Sequence, residues 1–229
     1  GIVINNDEIL DIIVGGSSVP GSIPLSEKTY VMLNNGIGAF EPIYNKSLDT
    51  AKLANEIKIN DIDNDGADEI IIACEWGPIR IYKNVNNALQ EITADLQLDT
   101  KTGWWNSINL HDLDNDGDLD ILATNFGHNT KYKASTSKPE LLYYSDFDES
   151  GKLDIVEAKY EGNDLVPRRG FSCSQLAMPF IKDKMKSFHN FASSSLSGIY
   201  SKTSISSATK YEINTLESGV FINEKTHFK

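Results

Sequence analysis

Residues 109–125 read NLHDLDNDGDLDILATN. Counting from Asp112, carboxylates stand at positions 1, 3, 5 and 9 (Asp112, Asp114, Asp116, Asp120), with Gly117 at 6 and Asp118 at 7. In a tight loop, alternate side chains turn toward one point, and glycine permits the bend that closes the ring. The run that follows is apolar, β-prone and only a few residues long, which predicts a buried strand rather than a helix. The pattern recurs. Residues 59–75 read INDIDNDGADEIIIACE, residues 144–159 read YSDFDESGKLDIVEAK, and a degraded copy, VINNDEILDIIVGG, fills residues 3–16. Each copy is an apolar stretch, an acidic turn and a second apolar stretch, so the chain reads as a repeat protein.

The loops carry ligand chemistry. Calcium takes 6–8 oxygens in flexible geometry, whereas magnesium demands a stricter octahedron, and no His/Cys cluster offers a site for zinc. In the first loop Asp61, Asp63, Asp65 and Glu69 supply carboxylates, and Ala67 a carbonyl. In the second, Asp112, Asp114, Asp116 and Asp120 do so, with the Asp118 carbonyl. In the third, Asp146, Asp148 and Asp154 are joined by Ser150 and the Lys152 carbonyl, and serine in place of a carboxylate predicts weaker binding there. The opening copy keeps Asn5, Asp7 and Asp11 but has Val3 at position 1 and Glu8 in place of glycine, so it is not expected to hold metal. An EF-hand needs a bidentate Glu at position 12 between helices; that position is Ile72, Ala123 and Glu157, in β-prone surroundings.

The 229-residue chain has a formal charge of −12, and the three loop windows hold 14 of its 33 acidic residues. The acidity is thus a local property of the loops, and packed carboxylates repel unless a cation neutralises them. A strongly acidic chain is a poor ligand for nucleic acid. No apolar run is long enough to span a membrane. Cys74 and Cys173 stand far apart in no CxxC pattern, with Cys74 placed for the core; a bridge between them is left open. The chain opens Gly1-Ile2-Val3 with no signal peptide, as expected of a processed chain or a fragment.

Around the loops, paired strands are predicted at Tyr30–Asn34 and Ala39–Tyr44, and at Pro78–Lys83 and Leu89–Thr93. About four strands per roughly 50 residues is the size of a propeller blade. The expected fold is mainly β: one domain over 1–229, a partial β-propeller of about three to four four-stranded blades. The approximate blades are 1–54, 55–103 and 104–166, with a partial blade at 211–229. Residues 172–200 interrupt them. Ile181, Met185, Phe188, Ala192 and Leu196 recur at steps of three and four, which predicts an amphipathic helix with Pro179 in its first turn and core contacts from Met185 and Phe188. The serine-rich stretch 193–207 reads as loop.

The DxDNDGxxD pattern followed by an apolar strand resembles the FG-GAP/VCBS repeats of integrin-α-like β-propellers. VGGSSVPGSIP (14–24), GWWNSI (103–108), NTKYKAS (129–135) and SCSQLAMPFIKDK (172–184) are similar to bacterial VCBS-repeat proteins related to the ASPIC/UnbV group. The resemblance implies a propeller, commonly of seven blades, with calcium in each intact loop. It also implies secretion or surface display, with a role in adhesion or recognition of a protein or glycan. Too few blades are present to close a ring unless subunits complete one another in a homo-oligomer, and an ASPIC-type C-terminal domain is not evident.

The function expected is that of an extracytoplasmic calcium-binding module rather than an enzyme. The alternative is a carbohydrate-active hydrolase or lyase on the same scaffold, which would need paired carboxylates or a nucleophile beside a base. No GxSxG or HExxH pattern occurs, and His111 beside Asp112 is the one suggestive neighbour. Trp76, Trp104, Trp105, His111 and His128 lie near the turns and could form a recognition face, although packing is the commoner fate of tryptophan. Arg168-Arg169 reads as a solvated pair rather than an anion site.

Overall fold

The computed structural model describes every residue except Asn6. The chain forms two compact units, residues 1–130 with 216–229, and residues 131–215. Among the described residues, fifteen strands form four antiparallel sheets, none closed into a barrel.

The first unit holds three sheets. One is β1 (Ile12–Val14), β2 (Tyr30–Asn34) and β3 (Phe40–Ile43) in that order. The second runs β4 (Ala54–Asn60), β5 (Glu69–Gly77), β6 (Arg80–Val85) and β7 (Ala88–Glu91), with the short β8 (Gly103–Trp104) added to β5. The third pairs β9 (Ser107–His111) with β10 (Asp120–Thr124), and β10 with the last strand, β15 (Gly219–Phe221). Both expected hairpins form. The β6–β7 turn is Asn86-Asn87, each with a positive φ (53° and 67°), the conformation a two-residue hairpin loop demands.

Strand β5 explains why its sequence is apolar without alternation. Ile71 and Ala73 enter one core, with Ile79, Ile81, Trp105, Ile108 and Ile121. Ile70, Ile72 and Cys74 enter the other, with Ile4, Val31, Leu48 and Tyr82. Successive side chains leave a strand on opposite faces, so a strand covered on both sides must be apolar at every position. Each fully buried isoleucine contributes roughly 1.5–3 kcal/mol. Burial likewise pushes the Cys74 thiol up to about 12; Cys173 is exposed, and both are free thiols.

The second unit is one sheet, β11 (Glu140–Ser145), β12 (Asp154–Glu161), β13 (Asp164–Pro167) and β14 (Thr209–Ile213), in the order 13-12-11-14. Its core adds Phe171, Ile181, Met185, Phe191, Leu196, Ile199 and Tyr200 from the helical segment. That segment is five short helices rather than one: α1 (Phe171–Ala177), α2 (Phe180–Met185), α3 (Phe188–Ala192), α4 (Leu196–Tyr200) and α5 (Lys202–Ser207). The period of three and four was real, but the chain is restarted repeatedly. Pro179 opens α2 and Lys186, at φ 63°, ends it. Ser187, Ser195 and Ser201 then cap the next three helices, accepting from the backbone N–H of Asn190, Gly198 and Ser204. Ser195 and Ser201, inside the stretch expected to be loop, are helix starters, because a short hydroxyl satisfies an otherwise unpaired N–H. Phe188, expected in the core, is exposed and meets Phe171 edge-on at 5.1 Å.

Candidate metal centres

Every acidic loop closes a hairpin. The first joins β4 to β5, with Asn60 paired to Glu69; the second joins β9 to β10, with His111 paired to Asp120; the third joins β11 to β12, with Ser145 paired to Asp154. Position 9 therefore opens the second strand of each hairpin, and its carboxylate reaches back under the loop.

The three loops are wired alike. The position-1 carboxylate accepts from the backbone N–H groups of positions 5 and 6: Asp61 from Asp65 and Gly66 (3.2 and 2.9 Å), Asp112 from Asp116 and Gly117 (3.2 and 3.1 Å), Asp146 from Ser150 and Gly151 (3.0 and 2.8 Å). The position-9 carboxylate accepts from the N–H of position 2: Glu69 from Ile62, Asp120 from Leu113, Asp154 from Phe147. Two left-handed residues make the bend. Position 4 is Asn64, Asn115 or Glu149 at φ 57–62°, and position 6 is a glycine at φ 80–96°, a region glycine enters without the Cβ clash that other residues meet. The opening copy keeps part of this wiring: Asp11 accepts from Ile4 N–H at 2.9 Å, and Glu8 takes φ 64° where the others have glycine.

This geometry gathers three carboxylate triads: Asp61, Asp63 and Glu69; Asp112, Asp114 and Asp120; Asp146, Asp148 and Asp154. In each, one oxygen per residue lies within 4.8 Å of the others. Positions 5 and 7 fall outside the triads. Asp65 and Asp116 turn an oxygen to the N–H of Ala67 and Asp118, each at 2.9 Å, and the Ser150 hydroxyl accepts from Lys152 N–H at 3.4 Å. The Asp118 side chain accepts from Asn64 Nδ2 at 2.8 Å and has Lys225 at 3.5 Å, leaving only its backbone for a ligand role in the second loop.

The electrostatics of the second and third loops suit a bound cation. Among the described residues, no Lys, Arg or His comes within ion-pair distance of Asp112, Asp114, Asp116, Asp120, Asp146, Asp148 or Asp154, and Lys229, paired with Glu224, acts on Asp114 only from farther off. Loss of solvent, then repulsion from Asp116, Asp120 and Asp112, pushes the Asp114 carboxyl up. Burial, then repulsion from Asp148 and Asp146, does the same to Asp154. An all-oxygen donor set of this charge suits a hard divalent ion.

The first loop differs. Lys83, on β6, pairs with Asp63, with Asp65 at 2.6 Å and with Glu69 at 3.5 Å. Its ammonium holds Asp65 below the usual carboxylate range, helped by the Ala67 N–H. Burial opposes the charge on Lys83, but the hydrogen bonds it donates to Asp63 and Asp65 outweigh that and raise the lysine pKa. Glu69 is farther from the ammonium and fully buried; burial pushes its carboxyl up to about 7, against the Ile62 N–H that favours the anion. Its Oε1 accepts no hydrogen bond.

Asparagines that motif counting passed over tie the loops of the first unit together. Asn223 donates from Nδ2 to Ile62 O (2.8 Å) in the first loop and to Leu119 O (3.3 Å) in the second, while its N–H reaches Asp120 Oδ1 (2.8 Å). Asn84 does the matching thing one repeat earlier, donating to Ile4 O at 2.9 Å. Asn34 N–H reaches Asp11 Oδ1 at 2.9 Å, as Asn223 N–H reaches Asp120. Asn64 bridges from the first loop to Gly117 O at 3.1 Å. These partners stand up to 161 positions apart, so no local pattern announces them.

The aromatic candidates are packed. Trp76 and Trp104 meet edge-on at 5.0 Å, Trp104 meets Phe126 at 4.6 Å, Trp105 packs on Phe221, and all three tryptophans are buried. His111 is exposed, and His128 pairs with Glu217 at 2.9 Å. Arg168, expected to be solvated, is mostly buried: it pairs with Glu140 and lies 4.0 Å over the Tyr132 ring. Arg169 is exposed and pairs with Glu157 at 3.1 Å.

A model of the FG-GAP-like repeat matches residues 4–72 and again residues 61–123, just over half of the chain between them. The first match runs from the opening copy through the first loop, and the second from the first loop through the second. No curated protein matches the chain. The matched segments contain two of the three loops that share this wiring and the left-handed glycine, and the chain belongs to the family of FG-GAP-like repeat proteins.

Proposed function

We propose that this chain is a calcium-binding, non-enzymatic recognition module built as part of a β-propeller, displayed outside the cytoplasm. The observation that carries the proposal is the repeated carboxylate triad closed by a left-handed glycine. In the second loop Asp112, Asp114, Asp116 and Asp120 with the Asp118 carbonyl would hold the ion. In the third, Asp146, Asp148, Ser150, the Lys152 carbonyl and Asp154 would do so; in the first, Asp61, Asp63, Asp65, the Ala67 carbonyl and Glu69. Bound calcium would cancel the repulsion within each loop and stabilise the fold by binding it in preference to the open chain. The sheets would serve as blades, the partner being a protein or a glycan met at a propeller face, and further copies of the chain could complete a ring. Within the family, the stretches at 14–24, 103–108, 129–135 and 172–184 support the bacterial VCBS group related to ASPIC/UnbV proteins.

Calcium titration by calorimetry, with thermal melts in calcium and in chelator, tests this. Binding heat, a higher melting temperature in calcium, and loss of one site in Asp116→Ala are expected. No heat and coincident melts would refute it.

A further inference from the structure

The three loops share their backbone wiring but not their charge balance, and the difference lies in one side chain outside them. Lys83 Nζ sits among Asp63, Asp65 (2.6 Å) and Glu69 (3.5 Å), a compact cation with three N–H donors facing three carboxylates. In the second triad Lys229, held by Glu224 at 3.0 Å, acts on Asp114 only from a distance, and among the described residues no ammonium forms an ion pair with the second or third triad.

Strand register shows that this placement is particular to the first loop. Ile70, the residue after Glu69, pairs with Tyr82, which puts Lys83 beside Glu69. The equivalent residue in the second loop is Ile121, paired with Phe221, so Ile222 takes the place of Lys83. In the opening copy Ile12 pairs with Met32, and Leu33 takes it. The position is apolar in those two copies and cationic in this one, and in the third loop β13 pairs β12 only from Ala158 onward, so no strand residue stands opposite Asp154 on that side. Lys83 is also largely buried, its side chain 20% exposed, so its stem is packed and its charge is aimed into the loop.

We propose that Lys83 is a built-in counter-ion that competes with calcium for the first loop, so that this loop stays closed without metal while the second and third depend on it. The proposal rests on the calcium reading given above. A divalent ion entering the first loop must displace the ammonium from Asp63 and Asp65, and its apparent affinity falls by the fraction of time the lysine is in place. Two partly exposed ion pairs of ordinary strength weaken binding there by about tenfold.

The test is a calcium titration of the ¹⁵N-labelled chain by NMR, following the amides of Gly66, Gly117 and Gly151, one per loop, in the natural protein and in Lys83→Met. Lys83→Gln serves as the second variant should the methionine disturb folding. In the natural protein Gly66 should respond at calcium concentrations about tenfold above those that move Gly117. In the variants Gly66 should shift toward the Gly117 midpoint, with Gly117 and Gly151 unchanged. In chelator, Gly66 should lose exchange protection in the variants but keep it in the natural protein. If Gly66 titrates at the same concentration with and without Lys83 while Gly117 binds normally, the counter-ion role is overturned. If Gly117 and Gly151 also fail to respond in every form, the calcium reading itself falls, and the counter-ion proposal with it.

Discussion

Asn223→Ala is the sharpest test of how the repeats are joined. Asn223 is buried, and its Nδ2 is a donor to Ile62 O at 2.8 Å and Leu119 O at 3.3 Å; its Oδ1 accepts from Lys225 N–H at 2.9 Å. Alanine removes all three bonds and leaves two inward-facing carbonyls to find other donors. A net hydrogen bond is worth about 0.5–1.5 kcal/mol and a stranded buried group costs about 1–3 kcal/mol, which together give a loss of about 2–4 kcal/mol. For a unit of this size that corresponds to a melting temperature lower by roughly 5–12 °C. The backbone N–H that reaches Asp120 is retained, so the second loop should still bind calcium, more weakly because Leu119 and the Asp120 approach are no longer held. Urea titration followed by tryptophan fluorescence reads the right unit, because Trp76, Trp104 and Trp105 all lie in it. A loss below about 0.5 kcal/mol, in calcium and in chelator alike, would mean that the asparagine is incidental and that apolar packing alone joins the loops.

Other outcomes follow from the same structure. Gly117→Ala forces a Cβ into φ +96° and should cost about 1–2 kcal/mol, with weaker calcium binding by calorimetry, whereas Gly170→Ala, at φ −70° with open space around it but at the N-cap of α1, should cost less and leave calcium binding unchanged. Arg168→Met strands the Glu140 carboxylate, which is 4% exposed, and should destabilise the second unit by about 3 kcal/mol in circular-dichroism melts; adding Glu140→Leu should recover much of that. Trp105→Ala empties a site in the core between β5 and β10 and should cost about 3–5 kcal/mol in urea titration. Calcium at about a hundred times its dissociation constant should add about 2.7 kcal/mol per occupied loop, read as a higher urea midpoint than in chelator.

The sequence by itself determined the loops and the strands that bear them. Ligand spacing, the left-handed glycine and the short β-prone run after each turn are local, and a hairpin loop is wired almost entirely within its own nine residues, so reading Asp112–Asp120 is close to seeing it. Both neighbouring hairpins were legible for the same reason, since turn residues and strand propensity act over a few positions. The helical segment was legible only in its period. Where each helix starts depends on which serine hydroxyl finds an N–H to cap, and the pattern of apolar residues does not carry that choice.

Tertiary structure alone decided what lies beside each loop. Lys83 is 20 residues from Asp63, and Asn223 is 161 from Ile62; the strand register that delivers them is a property of the folded sheets. It also decided that the tryptophans are packing rather than a platform, and that Arg168 is partnered by Glu140 instead of solvent. Short-range rules fix the geometry of a turn. The lysine that balances the first loop arrives from the strand packed alongside, and a linear pattern holds no record of that neighbour.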